Sequence, residues 1–219
     1  INNAAASLAS SGGTIIVETG TYIIDGSTNP TISIPSNVAL IGSGNPTLSV
    51  QYNCVAIKNN DYNNGNQRIT VSGFKIEADV LNTTYQNQLI DFRRIQNSVF
   101  ENCNLIVKRP SSSSRGIYIS GDGTGAAASN GNIIRNNVIS GDGENDGPAI
   151  GILMYQYCIG NIIAANTVYK CGDSISIMGS STNNVISDNI IKNSNSSGTY
   201  GGIYVYHSNY NVINGNQSV

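Results

Sequence analysis

"NNVISDNIIKNSNSSGTYGGIYVYHSNYNVINGN", residues 183–216, carries one phrase twice: Asn184-Val-Ile-Ser-Asp-Asn189 returns as Asn211-Val-Ile-Asn-Gly-Asn216. The same spacing, Asn, any residue, Ile or Val, two residues, Asn, recurs at Asn132–Asn137 and Asn161–Asn166, and more faintly at Asn97–Asn102. The starts at 132, 161, 184 and 211 lie 29, 23 and 27 residues apart. Self-similarity at this period marks a solenoid, in which each repeat contacts only its neighbours and buries no apolar face alone. A second phrase travels with the first: Gly116-Ile-Tyr-Ile119, Gly151-Ile-Leu-Met154, Ser174-Ile-Ser-Ile177 and Gly202-Ile-Tyr-Val205. Each repeat therefore holds at least two short strands.

Alternating apolar residues in runs of four to six, bounded by Gly, Asn and Ser, are strand signals, and no segment after residue 13 sustains a helical period. Stacked as parallel strands about 4.8 Å apart, equivalent residues fall into rows. The expected inward rows are Ile117, Ile152, Ile175, Ile203 and Ile119, Met154, Ile177, Val205. The row Asn137, Asn166, Asn189, Asn216 reads as a structural ladder. An amide side chain carries both donors and an acceptor, so stacked Asn can bond the coils above and below while tolerating a left-handed bend.

Composition narrows the function classes. Charged residues are 11% of the 219, the net charge is −2, and Asn (32) and Gly (24) dominate. No basic stripe is present to displace counterions from a nucleic acid, and no run of about 18 apolar residues could span a bilayer. Neutral polar partners are expected, with no nucleic acid and no membrane. A hydrophobic fraction of 39% is too high for a disordered Asn/Ser-rich tract, so the chain folds. Cys54, Cys103, Cys158 and Cys171 form no closely spaced pair with a histidine, which argues against zinc. Buried thiols are the simpler expectation, with a Cys158–Cys171 disulfide as the alternative.

The front of the chain starts with an Ala-rich stretch, Ile1 to Ala9, suited to a helix that caps the open end of a solenoid. Strand-turn-strand units follow Gly12-Gly13. The residues Gly12, Gly13, Thr14, Gly20, Thr21, Tyr22 and Ile24, then Ile34 to Leu40, Gly42 and Gly44, resemble the N-terminal part of the pectate-lyase-like, right-handed parallel β-helix superfamily of phage tailspikes and secreted polysaccharide-degrading enzymes. With the Asn coils behind them, the resemblance covers essentially the whole chain. It implies an all-β fold, a single-stranded right-handed parallel β-helix with a short N-terminal capping helix. One domain over 1–219 is expected, residues 1–13 as the cap and 14–219 as coils, the stack continuing past the last residue. It also implies a polysaccharide partner, a homotrimer, and an extracellular or virion-surface location. Activity is left open, because the superfamily hosts lyases, hydrolases, epimerases and noncatalytic receptors.

The outward positions of the second phrase form one row of Tyr118, Leu153, Ser176 and Tyr204 and another of Ser120, Tyr155, Met178 and Tyr206. Tyrosine faces suit the CH-rich faces of sugar rings, and their hydroxyls can bond sugar hydroxyls, so Tyr118, Tyr155, Tyr204 and Tyr206 are candidate substrate-binding residues. The connections before these strands, residues 107–115, 140–148, 169–173 and 192–201, should form one wall of a groove. Lys108, Arg109 and Arg115 stand there one coil from Asp142, Glu144 and Asp146, with Asp173 one coil further. A hydrolase needs two carboxylates flanking the glycosidic bond, and these four are the available set. A uronate lyase needs a cation beside the sugar carboxylate and a base beside the proton; Arg115 or Lys108 would supply the first, His207 or Tyr206 the second. No cofactor is expected, with calcium as the alternative: "DGENDG" has the composition of a calcium loop without its twelve-residue spacing. "CGDSISI" at Cys171–Ile177 is similar to the acidic strand of polygalacturonase-like hydrolases, but Ser174 stands where a second aspartate belongs and that family's other motifs are missing. Two function classes follow: a polysaccharide-binding and polysaccharide-cleaving β-helix, lyase or hydrolase, and a noncatalytic adhesion or receptor-binding solenoid.

Overall fold

The computed structural model describes residues 1–28, 30–51, 54–78, 88–107, 114–124, 127–141, 149–192 and 201–219. Among the described residues a helix, Asn2–Ser7, precedes 27 short strands. It is shorter than the Ala-rich stretch: backbone bonding passes into a turn, and the Gly12 N–H closes onto the Leu8 carbonyl oxygen at 2.8 Å. Gly12 adopts φ +70°, the left-handed conformation glycine reaches at no steric cost, and leads into the strand Gly13–Val17.

The strands build four all-parallel sheets of eight, seven, four and eight strands. One full coil illustrates the order. Strand Arg115–Ser120 lies in the seven-stranded sheet, Ser129–Asn130 in the short four-stranded one, and Ile133–Arg135 and Val138–Gly141 in the two eight-stranded ones. The next coil repeats this with Ile150–Tyr155, Cys158–Ile159, Ile162–Ala164 and Thr167–Tyr169. This is a parallel β-helix. Its registers are those the repeats imply: Ile117 pairs with Ile152, Ile152 with Ile175 and Ile175 with Ile203, while Ile119, Met154, Ile177 and Val205 line up beside them. Those side chains fill the interior, with Ile203 and Val205 of the last coil only partly buried, and Phe74, Phe92 and Phe100 are fully buried there. Phe92 meets Phe100 edge to face at 4.8 Å. Glycine at 116 and 151 lets adjacent coils close in, since a Cβ on Gly116 would stand 2.6 Å from the Gly151 carbonyl oxygen.

The asparagine box yields two ladders. In the expected one, Asn137 donates its backbone N–H and its side-chain amide to Asn166 Oδ1, both at 3.0 Å, and Asn166 does the same to Asn189, as Asn189 does to Asn216. The second amide hydrogen reaches back to a carbonyl of the previous coil, as from Asn166 to Ile134 at 3.0 Å. Every polar valence is used, which is what a fully buried amide requires. The first residue of each box makes a parallel ladder, Asn132, Asn161, Asn184, Asn211, with the same pattern.

Two details of the expected repeat are corrected. The Asn97–Asn102 phrase is one residue out of register: Val99 pairs with Ile133, so Ser98 and Cys103 hold the ladder positions and their N–H groups donate to Asn132 and Asn137. The left-handed bend is not made by the ladder residues but by the residue before each. Asn136, Ala165, Asp188 and Gly215 precede one ladder, Gly131, Gly160, Asn183 and Tyr210 the other, all at φ of 54° to 63°. Asn97 and Asn102 belong to these corner rows, at φ 51° and 55°. The cysteine alternative is also settled: none of the four forms a disulfide, and Cys103, Cys158 and Cys171 are buried.

Candidate functional site

Alternation along the seven-stranded sheet turns every second side chain outward. Two outward rows result: one runs Lys58, Asp91, Tyr118, Leu153, Ser176, Tyr204, the next Arg93, Ser120, Tyr155, Met178, Tyr206. A further in-register set, Gln88, Arg115, Ile150, Asp173, opens the strands three positions before the first row, and Gln88, Arg115 and Asp173 contact that row's Asp91, Tyr118 and Ser176. The two tyrosine rows thus have the expected register. Their small and aliphatic members are covered: Ser120, Leu153 and Ser176 are buried, whereas Tyr118, Tyr155 and Tyr204 are partly accessible and Tyr206 is 48% exposed. At the last coil the Tyr204 and Tyr206 rings stack at 5.9 Å, nearly parallel, and His207 packs edge-on against Tyr206 at 3.9 Å. His207 opens the turn with φ 48° and is exposed, as its position after Tyr206 implies.

At the other end of the face the tyrosines meet charge. Asp91 is 2% exposed, and Arg93, two positions along the same strand, holds it with Nε at 3.2 Å and Nη2 at 3.0 Å. This paired geometry raises the arginine's own proton affinity. The Gln88 amide nitrogen donates to Asp91 Oδ2 at 2.8 Å while its oxygen accepts from Arg115 Nη1 at 2.8 Å, linking the second arginine to the same carboxylate. Three cations lie over two tyrosine rings: Arg93 at 4.5 Å and Lys58 at 5.4 Å from the Tyr62 centroid, Arg115 at 4.8 Å from that of Tyr118. The Tyr62 hydroxyl donates to the Asp91 carbonyl oxygen at 3.3 Å. Burial first, and the Asp91 charge second, push the Tyr62 phenol well above the usual range, and burial likewise raises Tyr118. Neither phenol is poised as a base. Burial also lowers the proton affinity of Arg115, whose Nε–H has no partner.

The structure brings Arg115 and Tyr118 together and places Tyr155 one coil on, while Tyr204, Tyr206 and His207 form a separate aromatic end. Asp173 is buried beside the face, accepting from Ser176 Oγ at 3.2 Å and the Gly201 N–H at 3.3 Å, which makes it a strand-end anchor for the next coil. Asp142, Glu144, Asp146, Lys108 and Arg109 lie outside the described residues. Sequence reasoning missed Lys58, Tyr62, Gln88, Asp91 and Arg93. The signal was present: Gln88-Leu-Ile-Asp-Phe-Arg93 alternates like Gly116-Ile-Tyr-Ile119, and Ile90 pairs with Ile117, 27 positions away and inside the repeat interval. It lacks the leading glycine and the ladder Asn by which the other coils are found.

Comparison with known proteins agrees with the fold. Residues 82–219 match the family described as periplasmic copper-binding protein (NosD), and the chain belongs to that family of the right-handed parallel β-helix superfamily. Among solved structures, a glycosyl hydrolase candidate from Parabacteroides merdae superposes with a TM-score of 0.61 at 14% identity, over 87% of this chain and 86% of that one. A tailspike protein double mutant of E. coli bacteriophage HK620, in complex with pentasaccharide, gives 0.60 at 14% identity over 99% of this chain. The chain spans 46% of that tailspike. At such identities the likeness concerns the fold alone. No curated protein sequence matches the chain.

The family description raises the question of copper, which draws on imidazole, thiolate and thioether ligands. This chain has one His, four Cys and two Met, all among the described residues. No group of three or more His, Cys, Asp or Glu exists among the described residues, and Met154 is fully buried in the interior row. Burial pushes the thiols of Cys103 and Cys158 up to about 11 and about 12, against the thiolate form a metal binds. These residues do not fit a copper centre.

Proposed function

We propose that this chain binds a polysaccharide along the outward face of its seven-stranded sheet, on an extracellular or virion surface. The observation that carries the reading is the set of accessible tyrosines on one face, Tyr118 and Tyr204 in one outward row and Tyr155 and Tyr206 in the next. Aromatic planes with hydroxyl tips, spaced along one face, suit a chain of sugar rings. The solved structures sharing the fold, a glycosyl hydrolase candidate and a tailspike holding pentasaccharide, support the same class of ligand. A homotrimer is proposed with it, on the tailspike resemblance, and light scattering tests that assembly directly.

Two versions of the reading differ in chemistry. Hydrolysis needs paired carboxyl groups about 5 to 9.5 Å apart. Asp91 and Asp173 lie three strands apart, about 14 Å or more at the usual strand spacing, and each is engaged by neighbours. This favours the noncatalytic, adhesion or receptor-binding version for the described part of the face. The cleaving version runs instead through Asp142, Glu144 and Asp146. Incubation with a panel of polysaccharides decides between them: new reducing ends without ultraviolet-absorbing products mean hydrolysis, both together mean a lyase, and retained binding with neither means an adhesin. Failure to retain any polysaccharide would overturn the reading as a whole.

A further inference from the structure

The charged end of the face asks for something the tyrosine rows do not. Lys58, Arg93 and Arg115 converge on Tyr62 and Tyr118, and Asp91 is their one carboxylate among the described residues. Asp91 is already committed: Arg93 takes both its oxygens and the Gln88 amide takes one of them again. Of the ion pairs among the described residues, none involves Arg115 or Lys58. Arg115 keeps one contact to a neutral amide oxygen and an unpartnered Nε–H, in a setting dry enough to disfavour its charge. A guanidinium has five donors and no acceptor, so only an acceptor can complete it, and a charged one does so best. The chain as a whole carries −2, yet among the described residues this corner of the face carries three cations against one anion.

We infer that Arg115 and Lys58, braced by the Asp91–Arg93 pair and backed by Tyr62 and Tyr118, form a binding site for the anionic group of an acidic polysaccharide. The inference rests on the polysaccharide reading above and narrows it to chains bearing carboxylate or sulfate. Asp91 is a positioning residue here: it fixes Arg93 against Tyr62 and, through Gln88, sets the direction of Arg115. The site occupies the early coils, so an acidic residue seated there would leave the neighbouring sugars to run toward Tyr155, Tyr204 and Tyr206.

The test measures binding of the purified chain to polygalacturonate, alginate and hyaluronan, each beside its carboxyl-reduced form, with dextran and dextran sulfate as the neutral and sulfated probes. The expected result is at least one acidic chain held about tenfold or more tighter than its reduced form, the preference shrinking as salt is raised. Arg115→Gln should erase that preference, and Lys58→Gln should diminish it. Lys58 lies outside the buried network, so it keeps the test decisive if Arg115→Gln fails to fold. A preference for dextran sulfate alone, lost in the same variants, supports the site with sulfate as its anion. Equal binding of acidic and reduced chains, or a preference that survives both substitutions, overturns the inference and leaves the polysaccharide reading standing. Binding of none of the probes overturns both.

Discussion

The Asn corners and the outward face of the seven-stranded sheet are built from the same coils under opposite rules. In the corners, Asn137, Asn166, Asn189 and Asn216 repeat one residue in one geometry, because each coil must satisfy the buried polar groups of the next. On the face, the equivalent positions read Lys58, Asp91, Tyr118, Leu153, Ser176, Tyr204, with no residue type held from coil to coil. A solenoid needs repetition only where coils bond one another; positions that differ from turn to turn are released for something other than stacking. The contrast assigns stability to the corners and recognition to the face.

The largest expected effect is in a corner. Asn166→Leu removes the acceptor for two donors of Asn137, its backbone N–H and its side-chain amide, both buried. At about 1 to 3 kcal/mol per buried donor left unpaired, and about 2 to 4 °C per kcal/mol for a chain of this size, Tm should fall by on the order of 10 °C. An unchanged melting curve would remove the ladder from the account of stability. Asp91→Asn comes next and tests whether the face is also partly structural. It strips Arg93 of its ion pair, and because Arg93 is 43% exposed the loss should be about 1 to 3 kcal/mol in denaturant unfolding, short of the cost at a fully buried pair. A loss as large as that of Asn166→Leu would blur the division.

A gain is expected where the ladder begins. Cys103 holds the position equivalent to Asn137, offering its N–H but no amide. Cys103→Asn should extend the ladder by one rung and add roughly 0.5 to 1.5 kcal/mol, read as a higher Tm. A lower Tm would mean that the corner around Cys103 is shaped for the thiol. The smallest effect concerns the thiols themselves. Cys54 is only partly buried, and burial, with the Asp25 charge behind it, pushes its thiol up to about 11. Its folded value lies above the ordinary one, so the thiolate fraction should still be climbing at pH 10, about tenfold per pH unit, where an ordinary thiol has levelled off. Alkylation of the native chain followed by mass spectrometry checks this. Labelling of Cys54 that plateaus near pH 9 would contradict it, as would equal labelling of Cys158.

How far the sequence could be read follows the same contrast. The strand rows and one ladder were legible because repetition is what a sequence displays: Ile117, Ile152, Ile175 and Ile203 recur with a glycine or serine before them. The second ladder was hidden in plain view at Asn132, Asn161, Asn184 and Asn211, since spacing alone does not say which Asn bends the chain and which bridges it. The Arg–Tyr–Asp cluster was only faintly legible, in the alternation of Gln88 to Arg93, because its coil has Ser98 and Cys103 where later coils have Asn, and because Tyr62 arrives from the turn of the preceding coil. Asp173 is a candidate by its neighbours in sequence, and its bonds to Ser176 and Gly201 are visible only in the structure. A site made of differences between repeats cannot be found by searching for the repeat.

The measurement that bears most directly on the proposed division is the pair of titrations, glycan and denaturant, on Tyr155→Ala and Tyr204→Ala, using whichever polysaccharide the panel shows to bind. Both side chains face outward, Tyr204 in the row of Tyr118 and Tyr155 in the row beside it, and neither belongs to the buried core. Each substitution should weaken binding by about 1 to 3 kcal/mol through lost ring contact while leaving the unfolding midpoint nearly unchanged. Normal binding in both variants would contradict the account and move the recognition surface to another face of the helix.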